Sequence, residues 1–356
     1  MNKEKVFSPK GRLDNSGHMS FIDMAFFISI VLVIWGHAHP LSSDWWGTWY
    51  ADFNAFIYSF HMPMFFFVGG YLMVFSKSID KLGFSKWAIG KVIKFGVPYV
   101  VLSLLALIPK SLLNGMADPT ELSIEFMLKT LFIIPRQGVW GHFWFISTFL
   151  ITELYWGLWR TMAKKYRFAA KLLFVVGMIG CLIMMIWPVY TDYFQINDIR
   201  FHSVFYPLGI LTAMAKPVLW DKKWKNILGV LVPILPVYML YPYGNYRINL
   251  FPFANFAVAL GLVWIVWNLS ILIGQKKFKI VDILVRDSFT VFLYSWPAQA
   301  ALGVLLNASG VFWVASVIIL FVVGLAFPLV LANCYRRLKF IQCRFFDDLF
   351  GIKTIS

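Results

Sequence analysis

Charged side chains are scarce in this chain of 356 residues, at 14%, whereas apolar residues make up 60%. The mean hydropathy is +0.72. A water-soluble fold needs more polar groups than this to cover its surface, so the composition excludes the soluble classes and predicts a protein surrounded by membrane lipids. Apolar runs of bilayer-spanning length recur without a long polar interruption, so we expect one membrane domain.

Several function classes also lack their usual residues. The cysteines, Cys181, Cys334 and Cys343, have spacings that fit neither a zinc site nor a disulfide framework. The sequence contains no Walker loop, no dinucleotide-binding glycine motif and no metal-ligand pair at i, i+4 spacing, so ATP hydrolysis and metal chemistry are not indicated. The net charge is +15, and the cations that give rise to it lie in short clusters between apolar runs. At such positions they indicate membrane topology rather than nucleic-acid binding.

Hydropathy predicts an all-α polytopic bundle of about ten transmembrane helices. A cytoplasmic segment, 1–20, precedes the membrane domain, 21–332, and a basic cytoplasmic tail, 333–356, follows it. The first apolar run ends at Gly36-His37-Ala38-His39-Pro40 rather than at a small-residue cleavage site, so we expect it to be retained as a helix. The predicted spans are 21–39, 53–75, 92–109, 142–159, 168–187, 201–215, 226–241, 250–273, 288–306 and 311–332.

The distribution of Lys and Arg supports this count. With the N-terminus inside, 27 of the 32 cations fall in the N-terminal segment, alternate loops and the tail, as expected for cytoplasmic segments of an inner or plasma membrane protein. Both termini are then cytoplasmic. The five cations predicted on the outer side are Lys110, Lys129, Arg136, Arg200 and Arg247.

Irregular elements are expected at four places. The sixth span is short, and the seventh contains two prolines. The segment 122–134 is too short to span a bilayer and reads as an interfacial or re-entrant helix. Pro63 predicts a break or kink beside His61, and Gly69-Gly70 permits close helix packing.

Ionisable residues at membrane depth are costly and are therefore candidate functional groups. His37 can reach water and titrate near neutrality, or it can be a hydrogen-bonded histidine at the lipid boundary. His61 can face neighbouring helices or merely cap the break. Glu153 can pair with a cytoplasmic-side lysine or hold a proton, and His142 with Trp144 can bind substrate or belong to an aromatic belt.

Polar residues also mark the outer ends of two spans. The segment 198–202 and Arg247 can bind a polar substrate that arrives from outside, or they can be ordinary solvated loop charges.

Several segments together resemble the membrane acyltransferase-3 family, and in particular its fucose 4-O-acetylase-like branch of polysaccharide O-acetyltransferases. The most specific match is 60–72. Further similar segments are 21–37, 91–94 with Pro98-Tyr99, 142–145, 205–211 and 288–299.

The resemblance implies an acetyl transfer from cytoplasmic acetyl-CoA, with no metal, to a sugar hydroxyl of an extracytoplasmic or lipid-linked glycan. The cytoplasmic cations fit an anionic donor, and a histidine in the path could act as a general base or be acylated transiently. The expected catalytic residues are His37, His61 and Glu153. The expected donor-binding residues are Lys91, Lys94, Tyr99 and Arg12. The expected acceptor-binding residues are His142, Trp144, Arg136, Arg200 and Arg247.

Two positions depart from the family pattern. Phe26 stands where the family usually has an arginine or lysine, eleven positions before the helix-one histidine, and Ser295 stands where many members have a histidine. If the missing cation normally binds the donor, another must replace it, or the chain is a non-catalytic transporter or glycan-binding subunit of the same fold. Succinyl-CoA is a further possible donor, but the chain lacks spare buried cations for a second carboxylate.

Overall fold

A computed structural model describes residues 20–112, 123–138, 140–186, 191–215, 223–242, 252–274 and 278–352 of the protein. These residues contain α-helices, short 3₁₀ and π segments and no β-strand. The α-helices are α1 (Ser20–His37), α2 (Trp49–Tyr58), α3 (His61–Met73), α4 (Lys77–Leu82), α5 (Phe84–Leu112), α6 (Ile124–Leu128), α7 (Trp144–Lys165), α8 (Arg167–Ile186), α9 (Ile196–His202), α10 (Phe205–Met214), α11 (Lys223–Leu231), α12 (Ile234–Leu240), α13 (Pro252–Ile273), α14 (Lys279–Arg286), α15 (Ser288–Ala308), α16 (Trp313–Arg337) and α17 (Arg344–Phe350).

The all-α polytopic fold predicted from hydropathy is confirmed. In the described part of the chain, eight helical segments are long and apolar enough to cross a membrane. They coincide with eight of the ten predicted spans. The segments are Ser20–His37, Trp49–Val74, Phe84–Leu107, Arg167–Ile186, Lys223–Leu240, Phe253–Ile273, Ser288–Ala308 and Trp313–Arg337.

The fourth and sixth predicted spans are helical but differ from these eight. The fourth corresponds to α7, whose 22 residues extend about 33 Å. It begins two residues later than predicted and continues to Lys165, and its charged residues, which include Glu153 and Arg160, lower its hydropathy. The sixth corresponds to two short helices, α9 with seven residues and α10 with ten, in line with the expectation of an irregular element.

Helices α3 and α10 cross with almost no space between their backbones. A Cβ atom on Gly70 would lie 1.9 Å from the carbonyl oxygen of Tyr206, and a Cβ atom on Gly209 would lie 1.9 Å from the carbonyl oxygen of Phe67. Only glycine fits at either position, since the atoms in the way belong to the backbone. The close packing predicted from Gly69-Gly70 is therefore confirmed, and it fixes α3 against α10.

The predicted cytoplasmic segments meet one another at one end of the bundle. Asp80 forms ion pairs with Arg160 at 3.1 Å and with Lys164 at 2.6 Å, which joins the loop after α3 to the end of α7. Asp287 contacts both Arg286 and Arg336, which joins the start of α15 to the end of α16. These pairs bring together loops that the cation count assigns to the same side of the membrane.

The C-terminal segment also packs at this end. Helix α17 lies against α5 and is tied to α15 by two hydrogen bonds. Thr290 donates to the carbonyl oxygen of Phe350 at 2.7 Å, and Tyr294 donates to that of Leu349 at 2.9 Å. The segment after α16 is therefore folded onto the bundle as far as Ile352, which is buried.

The predicted re-entrant segment is helical. It consists of α6 followed by one π-helical turn, Lys129–Ile133, and a 3₁₀ turn, Pro135–Gln137. The hydroxyl of Tyr99 donates to the carbonyl oxygen of Leu131 at 2.7 Å and so ties this segment to α5. The segment ends beside the candidate site, because Arg136 lies in its last turn.

Candidate active site

A cavity of about 60 Å³ lies near the end of the bundle opposite the cation-rich loops, beside the last residue of α1. Four of the six histidines of the chain line it: His37, His61, His142 and His202. They come from four separate segments of the sequence. The other residues that line the cavity are Val33, Tyr58, Met62, Arg136, Trp144, Phe292, Ser295 and Trp296.

His37 is the last residue of α1, and contacts from α2 fix this helix end. Tyr50 donates a hydrogen bond to the carbonyl oxygen of Ala38 at 2.9 Å, and the Asn54 amide donates to that of Gly36 at 2.8 Å. Carbonyls freed at the end of the helix thus find partners on α2. Nδ1 of His37 lies 3.2 Å from the hydroxyl of Tyr58, which fixes the imidazole at the edge of the cavity.

His61 begins α3 immediately after a helix break between α2 and α3. Helix α2 ends at Tyr58, and Phe60 has non-helical angles of φ −142° and ψ −15°. The break follows from Pro63, whose ring would clash with the carbonyl of Ser59 and which has no N–H to bond it. Nδ1 of His61 lies 2.8 Å from the carbonyl oxygen of Ile57. Since a carbonyl only accepts, Nδ1 carries the proton and Nε2 carries the lone pair of the neutral ring.

His142 and Trp144 lie at the start of α7. The ring centroid of His142 is 4.4 Å from that of Phe143 and 4.8 Å from that of Trp296. The Trp144 ring contacts two polar groups: the guanidinium carbon of Arg136 lies 4.8 Å from its centroid, and the ring of His202 lies 4.9 Å away. Both predicted residues therefore line the cavity rather than facing lipid alone.

Arg136 is held at the cavity by Asp198. Its Nε lies 3.1 Å and 3.2 Å from the two carboxylate oxygens, and its Nη2 also contacts Oδ1. Burial raises the pKa of the Asp198 carboxyl, and the hydrogen bonds and charge of Arg136 oppose that rise. Such a bidentate pair sets the position of the guanidinium group accurately.

Arg200 and His202 follow on the same short helix as Asp198 but face different ways. Residues four apart share a face of a helix, whereas residues two apart do not. His202 therefore lies with Asp198 on the cavity side, while Arg200 is buried elsewhere and donates to the carbonyl oxygen of Met185 at 3.3 Å. Arg200, which is predicted to bind the acceptor, therefore does not line the cavity, whereas His202, which the sequence singles out only as part of the segment 198–202, does. The i, i+4 spacing is the signal that could have identified His202.

Of the predicted donor-binding residues, those that the structure describes, Lys91, Lys94 and Tyr99, do not line the cavity. Lys91 forms an ion pair with Glu153 at 2.6 Å, which is one of the alternatives considered for Glu153. Nζ of Lys94 lies 5.6 Å and 5.3 Å from the ring centroids of Phe95 and Phe289, near the start of α15. Two other predicted residues, Arg12 and Arg247, lie outside the described residues.

Three of the other lining residues that were not predicted as site residues contact a cavity histidine or stand at a position of interest in the family. Tyr58 contacts His37, Ser295 lies where many family members are expected to have a histidine, and Trp296 packs on His142. In the described residues, no group of three or more His, Cys, Asp or Glu side chains has the geometry of a metal site. The cavity can therefore offer imidazole nitrogens, a hydroxyl and an arginine–aspartate pair to a substrate.

A comparison with protein families agrees with the motifs. The family model described as an acyltransferase domain, that of the acyltransferase-3 family, matches residues 19–333. The matched region runs from α1 to the C-terminal half of α16 and contains all four histidines of the cavity. Comparisons with curated proteins and with solved structures gave no match.

Proposed function

We propose that this chain transfers an acetyl group from cytoplasmic acetyl-CoA to a sugar hydroxyl. The chain belongs to the acyltransferase-3 family and is a membrane acyltransferase. The acceptor would be an extracytoplasmic or lipid-linked polysaccharide of the cell envelope. The observation that carries this proposal is the meeting of four histidines in one cavity near the predicted outer face.

A histidine cavity supports acyl transfer because the reaction moves one proton at neutral pH. The acceptor hydroxyl must lose its proton as its oxygen attacks the thioester carbonyl, and the departing sulfur must gain one. A neutral imidazole can accept the proton, or its nitrogen can carry the acyl group in between. His37 is the proposed residue for this role, since it closes α1 and contacts Tyr58 at 3.2 Å.

The cytoplasmic end supports an anionic donor. Lys91 and Lys94 lie in the first half of α5, where Lys91 is partly neutralised by Glu153. Lys94 lies near Asp348 of α17. Burial raises the pKa of the Asp348 carboxyl, and the charges of Arg344 and Lys94 partly oppose that rise. We propose that these two lysines, with Arg12, attract the phosphates of the donor. Tyr99, the other predicted donor-binding residue on α5, donates instead to the carbonyl oxygen of Leu131 at 2.7 Å.

The acceptor would meet the outer wall of the cavity. Arg136 is 35% exposed and is paired with Asp198, so this wall offers both hydrogen-bond donors and acceptors with little net charge. The Trp144 indole and the His142 ring add flat apolar surface, which suits the face of a sugar ring. We propose that an uncharged part of the glycan binds here.

The test is the O-acetyl content of the glycan in cells that carry His37→Ala at the normal protein level. We expect a loss of about 100-fold or more, the usual effect of removing a catalytic acid–base group. His39→Ala is the matched control, because the His39 ring stacks on Trp45 at 5.3 Å and does not line the cavity. Unchanged acetylation in the His37 variant would remove this residue from the mechanism.

A non-catalytic transporter or glycan-binding subunit is the second candidate, and Phe26 favours it. The Phe26 ring lies 6.0 Å from that of Phe65 among apolar side chains, so no cation stands at this depth of α1. Purified protein that binds a glycan but neither binds nor hydrolyses acetyl-CoA would establish this second function. Binding of acetyl-CoA that weakens in Lys94→Ala would support the enzyme instead.

A further inference from the structure

The two tryptophans that line the histidine cavity contact different groups. The ring centroid of Trp296 lies 6.5 Å from that of His37. Trp144 instead contacts His202, at 4.9 Å, and the guanidinium group of Arg136, at 4.8 Å. The Trp296 end of the lining therefore lies beside the last residue of α1, and the Trp144 end combines a histidine and an arginine on one indole ring.

The His202 ring is held in one orientation and one protonation form. Its Nδ1 lies 2.8 Å from the carbonyl oxygen of Asp198, so Nδ1 must donate and Nε2 keeps its lone pair in the neutral ring. Phe66 stacks on the ring at 5.7 Å with an interplanar angle of 26°, and Trp144 packs on it at 39°. A base oriented by a hydrogen bond at its other nitrogen is the arrangement that general-base catalysis uses.

Asp198 positions both polar groups at this end. Its backbone carbonyl accepts the hydrogen bond from His202, and its carboxylate accepts those from Arg136. The arginine therefore stays beside the imidazole. A hydroxyl bound between the two would have a base for its proton and a nearby positive charge for the oxygen that loses it.

His61 has the same tautomer but a different setting. Its Nδ1 donates to the carbonyl of Ile57, yet the residue is only 2% exposed and its ring packs against Tyr58 at 4.9 Å. His202 is only partly buried and shares Trp144 with Arg136. His61 and His202 both keep the lone pair on Nε2, and of these two histidines His202 is therefore the more accessible to an acceptor.

We propose that His202 is the acceptor-side catalytic base, an inference that rests on the function proposed above. The acyl group first moves from the thioester sulfur to a ring nitrogen of His37, as the C–N bond forms, the C–S bond breaks and the thiolate leaves. As the acceptor oxygen then attacks the acyl carbonyl carbon, its O–H bond breaks and the proton moves to Nε2 of His202. The C–O ester bond forms and the C–N bond to His37 breaks. The thiolate takes the proton from His202 to become the thiol, and both histidines return to their neutral forms.

The test uses the purified full chain, radiolabelled acetyl-CoA and polysaccharide from producing cells that has been stripped of O-acetyl groups by mild alkali. For His202→Ala we expect transfer to fall about 100-fold or more, with the affinity for acetyl-CoA changed less than about twofold. Free imidazole should restore part of the transfer, because removal of the side chain leaves space for it beside Trp144. His39→Ala, outside the cavity, should transfer at the wild-type rate.

The outcomes separate this inference from the function on which it rests. If the wild-type protein transfers acetyl groups and His202→Ala keeps most of that rate, His202 is not the base. A loss that imidazole does not restore, or that comes with lost acetyl-CoA binding, assigns His202 a structural role and overturns the inference. If the wild-type protein binds acetyl-CoA or glycan but transfers nothing, the proposed function itself is wrong.

Discussion

Replacing Gly70 with alanine tests the packing that brings the histidines together. The added Cβ would lie 1.9 Å from the carbonyl oxygen of Tyr206, 2.7 Å from its carbonyl carbon and 3.0 Å from its Cα. The first contact is about 1.5 Å closer than ordinary van der Waals contact, which begins near 3.4 Å. No side chain can rotate out of the way, so α3 and α10 must separate.

The expected cost follows from that separation. Overpacked cores lose about 1–3 kcal/mol, and a gap of about 1 Å already removes up to half of the dispersion energy of the atoms that line it. Tyr206 and Phe67, which flank the crossing, are both buried. We therefore expect Gly70→Ala to lose about 3 kcal/mol, at the upper end of that range. The proposed acetyl transfer should fall as well, because α3 begins at His61 and α10 follows His202 closely.

The assay is the apparent melting temperature of the detergent-solubilised protein, followed by size-exclusion chromatography after heating. Gly90→Ala is the matched control, since it lies inside α5 and a Cβ there meets no atom within 4 Å. Alanine is favoured over glycine in a helix by about 0.5–1 kcal/mol, so this variant should be as stable as the wild type or more stable. Equal melting of Gly70→Ala and the wild type would refute the packing argument.

Two sets of ion pairs, one at Asp287 and one between Lys91 and Glu153, give further predictions. Burial raises the pKa of the Asp287 carboxyl, but the hydrogen bonds and charges of Arg286 and Arg336 outweigh burial and lower that pKa. The contacts of Asp287 with the two arginines therefore stabilise the fold above about pH 4, and this stabilisation is lost as the pH falls through the lowered pKa. Asp287→Asn should cost about 2 kcal/mol at pH 7. This is below the ~3–5 kcal/mol of fully buried pairs, because both arginines are partly exposed. The melting temperature of the variant should also fall less steeply in acid than that of the wild type. Equal acid slopes would contradict this assignment. For the ion pair of Lys91 with Glu153, the single variant Lys91→Ala should be less stable than the double variant Lys91→Ala, Glu153→Gln. The single variant leaves a carboxylate of only 10% side-chain exposure without its cation. If the changes in melting temperature of the two single variants add up to that of the double variant, the two residues are not coupled.

The helices of this protein follow closely from local sequence properties. Apolar runs locate most spans, and Pro63 predicts the break between α2 and α3, because a missing N–H and a ring clash act within one turn. Gly70 predicts close packing for a similarly local reason. The sequence does not say that its partner is Gly209, since that contact joins residues far apart in the chain.

The candidate site depends on such distant contacts, and its prediction was accordingly less complete. The histidines His37, His61 and His142 could be selected because polar groups are costly in lipid. The pairing of Arg136 with Asp198 spans 62 positions and leaves no periodic signal. Arg136 and Arg200 look equivalent as outer cations, yet one lines the cavity and the other bonds a backbone carbonyl, because Arg200 lies on the far face of α9.

The crossing at Gly70 and Gly209 has a consequence for how a substrate reaches the histidines. A cavity of about 60 Å³ is well below the roughly 300–1,000 Å³ of ligand pockets, so the substrates proposed above would be enclosed there only if its walls moved apart. Because Gly70 and Gly209 leave no gap between the backbones of α3 and α10, we expect these two helices to move together, which would keep His61 in register with the end of α9. A widening of the cavity would then come from the other elements that line it, α1, α15 and the turn before α7, which carry His37, Trp296 and His142.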